Sequence, residues 1–185
     1  YGESTVSDLL QATATSAEGR WTGATLTGRT VVGLVLKDGS YWIFYTARDH
    51  PTVLAGLIQG TGTSHSSSFG SSNTRDFNLE SPGIRAATMR GTYVPNKSFH
   101  GTIAYVTGDT ESFTGTYDGD SESAPNLTQV AGTYSGLRTD NRTVTVTVDP
   151  AGTLSGHSTD GCFFAGTLSP WGKGNVFHTS VTFGG

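Results

Sequence analysis

The sequence predicts an all-β protein, an antiparallel β-barrel or two abutting half-barrels built from an internal repeat, and three observations support this prediction. Glycine accounts for 26 of 185 residues and charged residues for only 14 %, against usual shares of about 7 % and about 25 %. The glycines separate short runs rich in Val, Thr, Tyr and Phe, a pattern typical of strands joined by turns. A stretch of 21 residues also occurs twice in related form.

The repeated stretch spans 19–39 and 132–152, at a constant offset of 113 residues. The identical pairs are Gly19/Gly132, Gly23/Gly136, Arg29/Arg142, Thr30/Thr143, Val31/Val144, Val35/Val148 and Gly39/Gly152. A further match of 59–61 with 165–167 has an offset of 106, so the first copy contains about seven extra residues. A lone meander would expose an apolar face and two unpaired edges, so we expect the two copies to close on each other.

We predict one β domain over the whole chain and assign its parts from this repeat. The assignments are a domain over 1–185, copy one over about 19–79, middle strands over about 84–118 and copy two over about 132–185. Ahead of copy one, Ser7 is a good helix cap before Leu9 and Leu10, which predicts a short N-terminal helix.

Strand and turn signals follow each other along both copies. In SYWIFYTA, Tyr41 and Tyr45 share one face and Trp42 and Phe44 the other, so this strand is expected to be covered on both sides or to line a cavity. The polar segment 64–74 is interpreted as an exposed loop or a weak edge strand. RTVTVTV alternates valine with threonine, as in a strand with one solvated face. Two short segments complete the elements: a helical turn over 126–130 and a closing strand in NVFHTSVTF.

Few residues indicate catalysis or metal binding. The histidines are scattered, at His50, His65, His100, His157 and His178. Zinc sites need three or four converging ligands, and a serine nucleophile usually lies in a Gly-x-Ser-x-Gly turn that this chain lacks, so we predict no metal ion, no cofactor and no catalytic residue. Cys162 is interpreted as a buried apolar residue with a structural role, or as one whose partner lies outside this sequence.

Charge and hydropathy exclude two classes of partner. The net charge is −4 and no lysine or arginine cluster occurs, which argues against binding to nucleic acid. No apolar run reaches the ~18 residues of a transmembrane helix. The chain begins at Tyr1 without a signal peptide, so we expect it to be a mature or trimmed form.

Each repeat copy opens with a glycine two residues before a large aromatic residue, Gly19 before Trp21 and Gly132 before Tyr134. A ring in that position can pack over the end of a barrel, so the four residues are predicted to be structural. Lipocalins and related calycin barrels carry a similar Gly-x-Trp. This weaker resemblance implies an alternative function, a carrier of a small apolar ligand, whose cavity candidates are Tyr41, Trp42, Phe44 and Tyr45.

Most of the chain resembles a group of small, uncharacterised lipoproteins from the proteobacterial envelope. The matching segments are 35–39, 59–62, 75–77, 130–136, 143–146, 152–156, 161–162, 164–167, 175–177 and 181–185. The resemblance implies an exported protein in the periplasm or on the outer-membrane surface, with a lipid anchor on a segment that precedes Tyr1. The group has no established activity, so it supplies no functional residues.

Together these observations predict a non-enzymatic envelope lipoprotein that binds an unknown protein or envelope component, or that helps to organise the surface. The alternatives are the lipocalin-like carrier and a hydrolase with an unrecognised site. A carrier needs an internal cavity of about 300 Å³ or more, whereas a binding module needs an exposed apolar patch.

Overall fold

A computed structural model describes residues 16–81, 83–138, 140–172 and 175–184. The chain divides into two compact units, Tyr1–Gly119 and Asp120–Gly185. Strands hold 67 % of the chain and helical turns 4 %, which confirms the all-β prediction. The predicted helix near Ser7 lies outside the described residues, and the interpretation of 1–185 as one domain stays a prediction.

The first unit is formed by β-strands alone. In chain order these are β1 (Gly19–Thr25), β2 (Thr30–Val35), β3 (Ser40–Ala47), β4 (His50–Thr61), β5 (Thr63–His65), β6 (Ser68–Asn78), β7 (Gly83–Val94), β8 (Ser98–Tyr105) and β9 (Thr110–Tyr117). All pairs are antiparallel, in the order β4-β3-β2-β1-β9-β8-β7-β6-β5, and β4 also pairs with β6. This last pairing closes eight of the strands into a barrel, which confirms the predicted barrel.

The middle strands complete this barrel. β1 pairs with β9, with Gly23 opposite Gly115, and β4 pairs with β6, with Ile58 opposite Asp76. The first copy therefore closes into a barrel with β7, β8 and β9, and the described strands of the second copy take no part in that closure. Inside the barrel, alternate residues of the strands form the core, as the period of two requires. The largest buried side chains there include Tyr41, Phe99 and Met89.

The second unit holds a five-stranded antiparallel sheet. A 3₁₀ turn at Gly119–Glu122 is followed by α1 (Leu127–Val130), β10 (Gly132–Leu137), β11 (Thr143–Val148), β12 (Thr153–Ser158), β13 (Phe163–Pro170) and β14 (Phe177–Gly184). The strands pair in chain order. The predicted helical turn is present, and the Asn126 side chain caps it by accepting a hydrogen bond from the Thr128 backbone N–H at 3.0 Å.

The repeat is reproduced in the strand pairing. Gly19 lies opposite Val35, and Gly132 lies opposite Val148 at the same offset of 113. The two aromatic residues also make the same contact. Trp21 Nε1 donates to the carbonyl of residue 17 at 3.0 Å, and the Tyr134 hydroxyl donates to the carbonyl of residue 130 at 2.8 Å, in each case four residues earlier. The five strands β10–β14 thus correspond to β1, β2, β3, β4 and β6 of the barrel.

Two local expectations are corrected. The polar segment 64–74 is predicted to be an exposed loop or a weak edge strand, and its first residues do belong to the short edge strand β5 and the turn after it. From Ser68 onward the prediction is wrong, because β6 (Ser68–Asn78) is an integral strand between β4 and β7. Apart from Phe69, its buried side chains are polar (Ser71, Thr74 and Asp76), which hid the strand pattern. Cys162, expected to be buried, lies in the turn before β13 and is only partly buried.

Candidate functional site

The two ends of the barrel differ, and one of them is closed by aromatic rings. Trp21 is 4 % exposed and packs against Tyr117 and Phe99, with ring centroids 5.2 and 5.6 Å away. Beyond these rings the centre of the barrel is filled, and the cavity between Trp21, Tyr41 and Phe99 measures about 20 Å³. A cavity of about 10–15 Å³ is enough for one water molecule, so this one has room for about one water molecule and for no larger ligand.

A larger cavity of about 170 Å³ lies at the opposite end, where β1, β3, β6 and β8 finish. Its floor is apolar, formed by residues such as Ile43, Ile103 and Phe113, and its upper wall is polar. The polar and charged lining residues are Thr25, Arg29, Tyr45, Asp76, Asn78, Arg85, Tyr105, Asp109, Thr110 and Glu111. We call this cavity the Asp76 cavity.

Asp76 is the buried charge at the centre of this end. It is 1 % exposed, and its two carboxylate oxygens accept hydrogen bonds from the Tyr45 and Tyr105 hydroxyls at 2.8 and 2.9 Å. Burial, together with the adjacent Asp76 carboxylate, raises the pKa of Tyr45 and of Tyr105 above the usual tyrosine value. Both tyrosines therefore stay protonated and act as donors to Asp76 at neutral pH.

Each tyrosine is covered by an arginine that is paired elsewhere. Arg29 lies over the Tyr45 ring at 5.4 Å, and its Nη2 is 2.7 Å from Glu80 Oε2. The hydrogen bond to Glu80 raises the pKa of the Arg29 guanidinium. Arg85 lies over the Tyr105 ring, with Cζ 3.8 Å from the centroid.

Arg85 Nη2 is 3.0 Å from Asp109 Oδ2, so both arginine charges near the cavity are matched by an acid at its rim. Two further carboxylates of the lining have no ion pair among the described residues. These are Asp76, held by the tyrosines, and Glu111, whose Oε1 accepts from Thr27 at 2.6 Å. In the part of the chain that the structure describes, the lining holds three carboxylates and two guanidinium groups, so it has one negative charge in excess and favours a cation or a hydrogen-bond donor.

Exposed aliphatic residues surround the mouth of the Asp76 cavity. They lie in the turns and strand ends of this end of the barrel and are Leu26, Val53, Leu54, Leu79, Ile84 and Val106. Leu26 is 86 % exposed and Val106 79 %. Backbone hydrogen bonds connect these turns to neighbouring strands, for example from Leu26 N to the carbonyl of Ser112 at 3.2 Å. We call these six residues the apolar rim; exposed apolar residues at one end of a fold can form an interaction site.

Of the four cavity residues predicted from the sequence, two have side chains inside the barrel and two have side chains outside it. Tyr41 and Tyr45 point into the barrel and line the small central cavity and the Asp76 cavity respectively, whereas Trp42 and Phe44 point outward. Among the residues assigned structural roles, Gly19 and Gly132 both have positive φ, at 139° and 156°.

All five histidines are exposed. Within the described ranges, no three histidine, cysteine or acidic side chains converge as a metal site would require. In the same ranges, none of the helical segments has the length and apolar character needed to span a bilayer.

Sequence reasoning missed Asp76, Tyr105, Arg29 and Arg85 as a cluster. One signal was present: if 68–78 is a strand, Thr74 and Asp76 alternate with Arg75 and Phe77, which places a carboxylate on one face. That this face is the barrel interior follows only from the pairing of β6 with β4.

Comparison of the chain with protein-family models, with curated proteins and with solved structures gives no match. The site geometry is therefore the basis on which a function is proposed.

Proposed function

We propose that the protein is a non-enzymatic binding module of the bacterial envelope that binds a protein partner through the open end of its barrel. The observation that carries the binding role is the apolar rim around the Asp76 cavity. Apolar contact area supplies affinity in protein interfaces, and a few buried polar groups fix the orientation. The envelope location is supported by the resemblance to proteobacterial lipoproteins.

The partner group that fits the cavity is a lysine side chain. A volume of about 170 Å³ corresponds to roughly five to six water molecules at about 30 Å³ each, enough for an ammonium group with part of its alkyl stem. The ammonium would add an ion pair to the carboxylates of Asp76 and Glu111, which already accept hydroxyl hydrogen bonds, and the stem would contact the apolar floor. Apolar neighbours of that lysine would cover Leu26 and Val106.

The dimensions of the barrel weigh against the alternative carrier function. The cavities of about 20 and about 170 Å³ are both below the ~300 Å³ of typical ligand pockets. The larger cavity is also lined by charged side chains. An apolar ligand would displace water from these charges without replacing its hydrogen bonds, which is unfavourable.

Peptide selection tests the proposal directly. A random peptide library displayed on phage is selected on the immobilised protein, with counter-selection on Asp76→Asn, which removes the charge and keeps the side-chain shape. We expect the surviving peptides to carry a lysine between apolar residues. Their affinity should fall about tenfold or more with Asp76→Asn, since charge-assisted hydrogen bonds contribute about 1.5–3 kcal/mol.

The apolar rim is tested in the same assay with Leu26→Ser and Val106→Ser. These variants should weaken binding, whereas Val94→Ser, which changes an exposed valine at the opposite end of β7, should not. Peptides without lysine, or with equal affinity for Asp76→Asn, would overturn the proposed site. Cell fractionation of the natural protein tests the envelope location separately.

A further inference from the structure

In the second unit, β14 is a strand whose outer edge has no partner among the described residues. The pairing of β13 with β14, with Phe164 opposite Phe183, repeats that of β4 with β6, with Ile58 opposite Asp76. In the barrel, β6 pairs on its other side with β7. The sheet β10–β14 ends at the corresponding position, so β14 presents the hydrogen-bonding groups that β7 satisfies in the first unit.

This edge lacks the usual protection against pairing. Natural edge strands carry lysine, other charges, proline or bulges that prevent contact with another chain. β14 reads FHTSVTFG, contains none of these residues, and is exposed from His178 to Gly184. An unprotected and exposed edge of eight residues is a template for a further strand.

The face that this edge continues is apolar. Phe183 is 70 % exposed, and its counterpart in the barrel is the buried Asp76. The counterpart of Val181 is Thr74. Tyr134, the counterpart of the buried Trp21, is 52 % exposed. The residues that correspond to the barrel interior include Tyr134, Val144, Val146, Val148, Leu154, Phe164, Val181 and Phe183, together with the buried polar Ser158.

We propose that β14 pairs antiparallel with β14 of a second copy of this chain, about a two-fold axis at Ser180. The strand is nearly symmetric about this residue. Phe177 of one copy then lies opposite Phe183 of the other, and Thr179 lies opposite Val181, all on the apolar face. On the other face His178 lies opposite Thr182, so the pairing brings no like charges together.

The paired edges join the two sheets into one continuous ten-stranded sheet. Opposite residues of an antiparallel pair point the same way, so both apolar faces lie on the same side of this sheet. Val148 and Leu154 of this face are already buried within one chain, whereas Val181 and Phe183, next to the free edge, are exposed. The pairing gives Val181 and Phe183 cross-strand neighbours in the second copy, Thr179 and Phe177 respectively.

The oligomeric state of the full chain tests the proposal. Sedimentation equilibrium over micromolar concentrations should show a dimer, and Val181→Lys should raise its dissociation constant about tenfold or more by placing a charge on the apolar face. Thr167→Lys is the matched control, since it adds the same charge to an exposed position of the neighbouring β13. Circular dichroism of each variant confirms that the sheets remain folded.

Cross-linking locates the axis independently. In a Cys162→Ser background, Ser180→Cys should form an intermolecular disulfide on mild oxidation, because opposite Cα atoms lie about 4.5–5.5 Å apart in an antiparallel pair and a disulfide spans about 4.4–6.8 Å. Thr167→Cys should not cross-link. A monomer at a hundred micromolar, a dimer that Val181→Lys leaves intact, or larger assemblies would each overturn the proposal.

Discussion

At the residue scale, Asp76 is the side chain on which the open end of the barrel depends, because two buried hydroxyls donate to it. We expect Asp76→Asn to change the free energy of unfolding by about 1 kcal/mol or less, since the amide oxygen still accepts from one hydroxyl, the amide N–H can donate to the other, and a buried charge is removed. Asp76→Ala should cost about 2–4 kcal/mol, because it leaves both hydroxyls without an acceptor and opens a cavity. Urea unfolding measures both. Equal losses would show that the hydrogen bonds contribute little.

The raised pKa values of Tyr45 and Tyr105 predict a loss of stability at high pH. Above the ordinary tyrosine pKa of about 10, the unfolded chain releases protons that the folded chain keeps, so the free energy of unfolding falls as the pH rises. Each such tyrosine contributes up to about 1.4 kcal/mol per pH unit in this range. We expect urea unfolding between about pH 10 and about pH 11.5 to show a shallower decline for Tyr45→Phe than for the wild type.

The matched control for this measurement is Tyr134→Phe, which removes an exposed tyrosine of the second unit. Its decline with pH should follow that of the wild type. If Tyr45→Phe also declines as steeply as the wild type, the Tyr45 hydroxyl is not protected from ionisation in the folded protein.

At the element scale, the seam between β1 and β9 depends on a glycine. A Cβ atom added at Gly23 would lie 1.8 Å from the Thr114 carbonyl oxygen, whereas at its repeat counterpart Gly136 nothing lies within 4 Å. We expect Gly23→Ala to lower the stability by about 2 kcal/mol or more through overpacking. Gly136→Ala should be neutral or slightly stabilising, because alanine restricts the unfolded chain. Thermal unfolding compares the two, and similar effects would contradict the close approach of β9.

Local signals explain which elements the sequence could predict. The turns of the β2–β3 and β11–β12 hairpins each contain a glycine of positive φ, Gly39 at 83° and Gly152 at 87°. Such turns can be recognised from a few consecutive residues of the sequence. The pairing of β1 with β9 joins residues almost a hundred positions apart. No local pattern encodes that pairing, so the closure of copy one on the middle strands was missed.

The candidate site was missed for a related reason. The inward positions of β6 include Ser71, Thr74 and Asp76, which a hydropathy pattern assigns to solvent. Tyr41 and Tyr45 satisfy them instead, the Tyr41 hydroxyl lying 2.7 Å from Thr74 Oγ1 and the Tyr45 hydroxyl 2.8 Å from Asp76. The sequence of a strand that buries polar groups against tyrosines resembles that of an exposed loop, and only the neighbouring strands show that these groups are hydrogen-bonded inside the protein.

At the scale of the whole molecule, the barrel contains every strand needed for its own closure. Each of its eight strands has two neighbours in the range 16–119, and the aromatic cluster around Trp21 and Phe99 also lies within this range. The five strands of the second unit have no such closure, since β10 and β14 each pair with one strand among the described residues. The same repeated module therefore occurs once in a closed form and once in an open form.

This difference predicts that residues 16–119 fold alone, because removing 120–185 breaks no pairing of the barrel strands. We expect the truncated chain to unfold cooperatively and to give amide chemical shifts that overlay those of the same residues in the full chain. Residues 120–185 alone should instead associate, since an open sheet with two free edges and an apolar face is not stable as a monomer. If 16–119 failed to fold while the full chain folded, the barrel would depend on the second unit, and pairing within the barrel would not be sufficient for its stability.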